Sequence, residues 1–165
     1  MLDSTRPTWD DTWLEVARVI AKRSLCERDQ VGAVIVTRDN RIVATGYNGP
    51  PSGFKHDGAG CSSWCTRAMY TVNHLYDTSY VPERDYSDCP SLHAEANALS
   101  VCDRSVRVGG TIYVTGGMCF PCAKLVANSG LVQVVIDEAA RPAEHRNSEN
   151  SYRFLESCGL TVVTG

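Results

Sequence analysis

Apolar side chains recur with a helical period near the start of the chain. Trp13, Val16, Ala17, Ile20 and Ala21 share one face of residues 9–24, and Thr8 or the early aspartates Asp10 and Asp11 are placed to cap its start and favour it. The period then changes to that of extended chain. Residues 32–37 and 41–46 read as strands joined by the turn formers Arg38-Asp39-Asn40, which predicts a β-hairpin. It runs into Tyr47-Asn48-Gly49-Pro50-Pro51-Ser52-Gly53, too rich in Gly and Pro for helix or strand and therefore a loop of set shape. Residues 54–91 show little pattern beyond a short helical run at 66–76. Order returns with a helix from His93 to about Asp103, whose Ala94, Ala98, Leu99 and Val101 can pack on a sheet. A strand over 111–115, a helix over 119–129, a strand over 131–137, a helix over 147–158 and a strand over 160–164 complete the chain. The polar run 138–150 reads as an exposed connection. Strands alternating with helices at this spacing imply parallel βαβ crossovers. Added to the hairpin, they give an α/β, three-layer architecture: a five-stranded mixed sheet with helices on both faces, forming one domain over 1–165 with 54–91 as an insertion.

Composition narrows the function classes. At 165 residues, 43% hydrophobic and 21% charged, the chain has ordinary globular composition and enough length for a core. Its net charge is −3 and no Lys- or Arg-rich run is present, which argues against a nucleic-acid polymer as partner. No apolar run approaches the roughly 20 residues needed to span a membrane. The eight cysteines, at 26, 61, 65, 89, 102, 119, 122 and 158, invite a disulfide reading. The polar N-terminus carries no signal-peptide pattern, however, so a reducing compartment and a cytoplasmic location fit better.

The candidate chemistry lies in Leu92-His93-Ala94-Glu95 and Cys119-Phe120-Pro121-Cys122. Zinc accepts imidazole nitrogen and thiolate sulfur, and a catalytic site uses three protein ligands so that a fourth position can hold water. His93, Cys119 and Cys122 make that number. Residues two apart do not share a helix face, so His93 belongs at the very start of its helix, where it can turn in beside the Glu95 carboxylate. Cys119 and Cys122 are one helical turn apart and can grip one ion; at a helix start the dipole favours their thiolates. A zinc that only staples the fold would want a fourth protein ligand and has no use for Glu95. A lone Cys-x-x-Cys could equally be redox or structural; the two motifs together are specific.

This constellation resembles the zinc-dependent cytidine and deoxycytidylate deaminase superfamily. Within it the chain is most similar to the deoxycytidylate (dCMP) deaminases, through Val31-Gly32-Ala33-Val34-Ile35, Gly46-Tyr47-Asn48-Gly49-Pro50, His93-Ala94-Glu95-Ala96-Asn97-Ala98, and Tyr113-Val114-Thr115 running into Cys119. The likeness covers about residues 24 to 136, with one departure: Met118, preceded by Gly116-Gly117, stands where the family usually has proline. The resemblance implies a cytidine-deaminase-like fold and hydrolysis of a cytosine deoxynucleotide, dCMP to dUMP, on zinc held by His93, Cys119 and Cys122, with Glu95 carrying protons. It assigns Asn48 to the sugar hydroxyl, the Ala94 backbone to the pyrimidine edge and Arg104 to the 5′-phosphate, although an arginine ending a helix would be favoured there by the dipole alone. Some relatives carry a second, structural zinc in the insertion, for which His56, Cys61, Cys65 and Cys89 would be enough ligands; small buried cysteines are the alternative, and His74 reads as a surface or packing residue. Effector control by dCTP and dTTP and a homo-oligomer, dimer to hexamer, are implied in the same way. The Gly116 to Met118 departure keeps a 5-substituted dCMP or another cytosine nucleoside or nucleotide open as substrate. A catalytically idle nucleotide-binding or competence-associated protein is the reading from another class.

Overall fold

Thr8 starts the first helix. Its hydroxyl accepts the Asp11 N–H while the Asp11 carboxylate accepts the Thr8 N–H, a reciprocal pair that satisfies two of the donors a helix start leaves over. In this computed structural model, which describes residues 6–65, 89–137 and 148–165, that helix, α1, spans Trp9–Ala21. It ends before the residue 24 expected from periodicity. The last bonds tighten to the third residue back (Lys22 N–H to Val19 O, Arg23 to Ile20, Ser24 to Ala21), a 3-10-like turn that unwinds the helix. The run at 66–76, with His74, and the connection over 138–147 lie outside the described residues.

The hairpin forms as β1 (Gly32–Val36) and β2 (Ile42–Tyr47). Asn40 turns its tip at φ 55°, a left-handed conformation that asparagine tolerates. After α2 (Ala94–Ser100) and a single turn, α3 (Arg104–Arg107), the chain alternates β3 (Thr111–Thr115), α4 (Phe120–Ala127), β4 (Gln133–Asp137), α5 (Ser148–Ser157) and β5 (Thr161–Thr164). The sheet order is β2-β1-β3-β4-β5. β1 is antiparallel to β2 and β3, while β3, β4 and β5 run parallel.

Side chains alternate across this sheet and both faces are covered, so β1 is buried at every position. Val34, Val36, Tyr113 and Val135 meet Leu14 and Ala17 of α1. Ala33, Ile35, Ile112, Val114, Val134 and Ile136 face the opposite way, against Ala94, Ala98, Ala123, Val126 and Leu155 of α2, α4 and α5. The five-stranded mixed sheet with helices on both faces is thus as expected from the sequence. The Tyr113 hydroxyl also donates to Asp10, 2.8 Å away, tying α1 to its face.

The expected helix over 93–103 is broken at Ser100. Arg107 lies across this end, donating to the carbonyl of Leu99 in the last turn, to that of Cys102 just beyond, and by its Nε to Ser129 O at 3.1 Å; a cation is favoured at a helix C-terminus. On β2, Gly46 lets α2 lie backbone to backbone on the strand, for a Cβ there would fall 2.3 Å from Ala94 O and 2.5 Å from Ala98 N. The pairings Gly32↔Tyr47, Ala33↔Val114 and Thr115↔Asp137 place the start of β1 and the ends of β2, β3 and β4 on one edge of the sheet. Among the described residues no helix is long and apolar enough to cross a membrane.

Candidate active site

Two helix starts meet at that edge. His93 (φ −72°, ψ 156°) and Cys119 (φ −76°, ψ 158°) are each the last extended residue before a helix, α2 and α4. Pro121 suits the first turn of α4, where a missing N–H costs no helix bond. Cys122 sits one turn in from Cys119 and is buried. His93 Nδ1 lies 3.3 Å from Cys119 Sγ and 3.4 Å from Cys122 Sγ. A tetrahedral zinc bound at about 2.1 Å from nitrogen and 2.3 Å from sulfur sets these atoms about 3.5 Å apart, so the three fit one ion. Their ligand atoms all fall within 4.8 Å of one another.

Electrostatics favour a cation there. The hydrogen bond from Cys122, and the one with His93, bring the Cys119 thiol down to about 4 against the burial that opposes it. Cys122 is pushed up by its bond to Cys119, by burial and by the charge of Glu95. The two thiols are thus shifted in opposite directions, and binding of a divalent ion there would be coupled to proton release. Glu95 is wholly buried, a costly place for a carboxylate unless its charge is used or compensated.

The loop expected after β2 packs on the start of α2. Gly49 and Leu92 exchange two backbone hydrogen bonds of 3.1 and 2.9 Å. Asn97, one turn beyond His93, donates to Tyr47 O at 2.8 Å and Gly49 O at 3.4 Å. Between these carbonyls, Asn48 is 9% exposed. Its side-chain amide accepts the Val31 N–H (2.8 Å) and donates to Asp29 O (2.7 Å), while its backbone carbonyl accepts the Ser24 hydroxyl (2.7 Å). An amide has two donor hydrogens and two lone pairs, so one of each is left for a ligand. Ala94 is the first residue of α2, and its N–H lies outside the helix's own ladder.

Other expected residues fall elsewhere. α2 starts at the site and runs away from it, so Arg104, beyond its far end, lies against Gly130, the guanidinium 3.4 Å from where a Cβ would stand. Gly130 follows the far end of α4. Arg104 is thus placed beside the turn after α4 and away from the helix starts that carry His93 and Cys119. Met118, in the position of the family's usual proline, is wholly buried in the main core. Cys61 and Cys65 are buried beside Cys26, Trp64 and Cys89, with Cys65 and Cys89 sulfurs 3.7 Å apart and the Glu27 N–H 3.4 Å from Cys61 Sγ. His56 is exposed, accepts the Gly58 N–H and leans on Trp64, while Cys26 packs with the other three cysteines. Nothing local in sequence links Cys26 to the other three. Asn97 was also missed, although its spacing from His93 places the two on one helix face.

A three-layer α/β fold with one histidine, two cysteines and a buried glutamate at paired helix starts defines a zinc-dependent deaminase. Residues 7–138 match the cytidine and deoxycytidylate deaminase zinc-binding region. The chain is 45% identical over 131 residues to the deoxycytidylate deaminase of Mycobacterium phage D29, covering 79% of this chain and 95% of that one. It is 34% identical over 166 residues to deoxycytidylate deaminase of Homo sapiens, covering 94% and 84%. The dCMP deaminase of cyanophage S-TIM5 shares the fold, with a TM-score of 0.67 over 98% of this chain and 100% of that chain at 23% identity. The chain belongs to the cytidine and deoxycytidylate deaminase family, and zinc is its metal.

Proposed function

We propose that this protein hydrolyses the 4-amino group of deoxycytidine monophosphate, giving dUMP and ammonia. The observation that carries the reading is the wholly buried Glu95 carboxylate beside three ligands whose spacing fits one zinc. The phage D29 and human relatives support the choice of deoxycytidylate. His93, Cys119 and Cys122 would hold zinc, which when bound would supply a Lewis acid able to lower the pKa of a water from about 15.7 toward roughly 7. Glu95 takes one proton from that water and passes it to N3 as C4 becomes tetrahedral, then takes the remaining proton from the hydroxyl now on C4 and gives it to the departing amine. The water's oxygen remains as the C4 carbonyl and the amine leaves as ammonia. The Ala94 N–H meets the pyrimidine edge, and Asn48 offers its remaining N–H and lone pair to the sugar hydroxyl.

The test is ammonia release, with loss of cytosine absorbance, from zinc-loaded protein given dCMP, CMP, deoxycytidine, dCTP and 5-methyl-dCMP in parallel. Preference for dCMP supports the reading. Preference for 5-methyl-dCMP replaces it with the 5-substituted substrate, and zinc bound without turnover of any of them makes this a binding protein.

The same reading treats residues 1–165 as one deaminase domain, places it in the cytoplasm, and expects a homo-oligomer of two to six copies with dCTP and dTTP as effectors. Sedimentation, and rates with either triphosphate added, test the last two. For the insertion we propose a second, structural zinc on Cys26, Cys61, Cys65 and Cys89. The Cys65–Cys89 separation of 3.7 Å is close to the roughly 3.8 Å between two thiolates on one tetrahedral zinc. Two zinc ions per chain, falling to one in Cys26→Ser, are expected; one in both refutes it.

A further inference from the structure

Asn97 belongs to none of the groups that hold metal or move protons, yet it stands on the helix that supplies both His93 and Glu95. Its backbone N–H bonds His93 O at 3.0 Å. Its side-chain amide is spent on two carbonyls of another segment, Tyr47 O and Gly49 O, which flank Asn48 on either side. The same segment is fastened to Leu92, immediately before His93, by the Gly49 pair. The loop carrying Asn48 is thus bracketed on α2, one fastening just before the metal ligand and one a turn after it. A donor is required at this position because both partners are carbonyl oxygens, and the amide of asparagine reaches them where a carboxylate would repel them.

We propose that Asn97 is a positioning residue that sets the distance between the sugar contact of Asn48 and the reacting C4. Asn97 does not touch the nucleotide; it fixes the peptides on both sides of the residue that does. The inference rests on the sugar-binding reading of Asn48 given above, and the experiment separates the two.

Asn97→Ala, Asn97→Asp and Asn48→Ala are compared with the unaltered protein on dCMP and on 2′,3′-dideoxycytidine monophosphate, which lacks the 3′-hydroxyl, with zinc content measured for each. Removing one or two neutral hydrogen bonds is expected to lower kcat/KM on dCMP about tenfold in either Asn97 variant. On the dideoxy substrate the loss shrinks to within about twofold, because the contact being positioned is already gone, and zinc content stays at its unaltered value. Equal losses on the two substrates would mean that Asn97 supports only the fold and would overturn the inference, as would undiminished activity on dCMP. Loss of zinc in both Asn97 variants would overturn it as well, since the amide would then be holding the metal helix. If Asn48→Ala itself loses equally on both substrates, the sugar reading of Asn48 fails; if Asn48→Ala discriminates and the Asn97 variants do not, the positioning role alone fails.

Discussion

Replacing Glu95 with glutamine keeps the shape of the side chain and removes its ability to carry protons. The residue is wholly buried and lies close enough to Cys122 to raise that thiol by charge. A single positioned acid or base contributes about 10²- to 10⁴-fold. In the proposed mechanism the same carboxylate serves two successive transfers, to N3 and to the leaving amine, so the loss in kcat is expected at the upper end, about 10⁴-fold. At about 1.4 kcal/mol per decade that is about 5 kcal/mol of lost transition-state stabilisation. Zinc should stay, because the ligand atoms come from His93, Cys119 and Cys122, and a neutral amide no longer disfavours the Cys122 thiolate. Glu95→Asp withdraws the carboxylate by one methylene, about 1.5 Å, and is expected to lose about 10²-fold. The assay is loss of cytosine absorbance at saturating dCMP, with zinc measured on the same sample. A glutamine variant retaining more than a few per cent of kcat would refute the proton-carrying role, and one that loses its zinc would move Glu95 into the ligand set.

Two further outcomes test how the site is held. Burial, and then its bond to Asp10, raise the Tyr113 hydroxyl well above its usual range near 10. Above that pH the unfolded chain gives up this proton while the folded one keeps it, so stability is present in full below pH 10 and falls above it, by at most about 1.4 kcal/mol per pH unit. Urea denaturation between pH 9 and 11 should fall more steeply for the unaltered protein than for Tyr113→Phe; identical slopes would refute the assignment. Gly46→Ala drives a methyl into the Ala94 carbonyl and the Ala98 nitrogen, costing about 1 to 3 kcal/mol and, by moving the helix that begins at His93, at least tenfold in kcat. Loss of stability with unchanged kcat would show that α2 can shift without disturbing the metal.

What the sequence made legible follows from how far apart the determinants lie. The face of α1 could be read because one side of it is buried and keeps the helical period, and the strand over 111–115 because cover on both faces leaves a short apolar run between turn residues. The ends of helices could not: where α2 stops, Arg107 folds back on Leu99 O and Ser129 O, a tertiary contact. His93 with Glu95, and Cys119 with Cys122, could be read because each pair is local and their chemistry matches. Cys26 enters the cysteine cluster from the turn after α1, a placement no spacing announces. Where Arg104 stands could not be read either, for the opposite reason. Its distance from the motif in residues is fixed, but a helix that starts at the site carries whatever follows it away to the other edge of the sheet.

That helix is only seven residues long, too short to hold its shape alone, and three of those residues bear on the reaction through different means. In the proposed mechanism Ala94 offers its N–H, Glu95 carries protons and Asn97 grips the loop of Asn48, while His93 caps the start and would hold the metal. What keeps so short an element in register is external: the missing side chain at Gly46 beneath it, the Gly49–Leu92 bridge before it and Arg107 on its final carbonyls. Substitutions at these supports should act on kcat as well as on stability, whereas truncating Leu155, buried in the core between α5 and the sheet, should cost a few kcal/mol of stability and leave the pH dependence of kcat unchanged. Separating the two kinds of variant tests whether α2 is tuned as one rigid body, because a site assembled from independently held residues would respond to each support on its own.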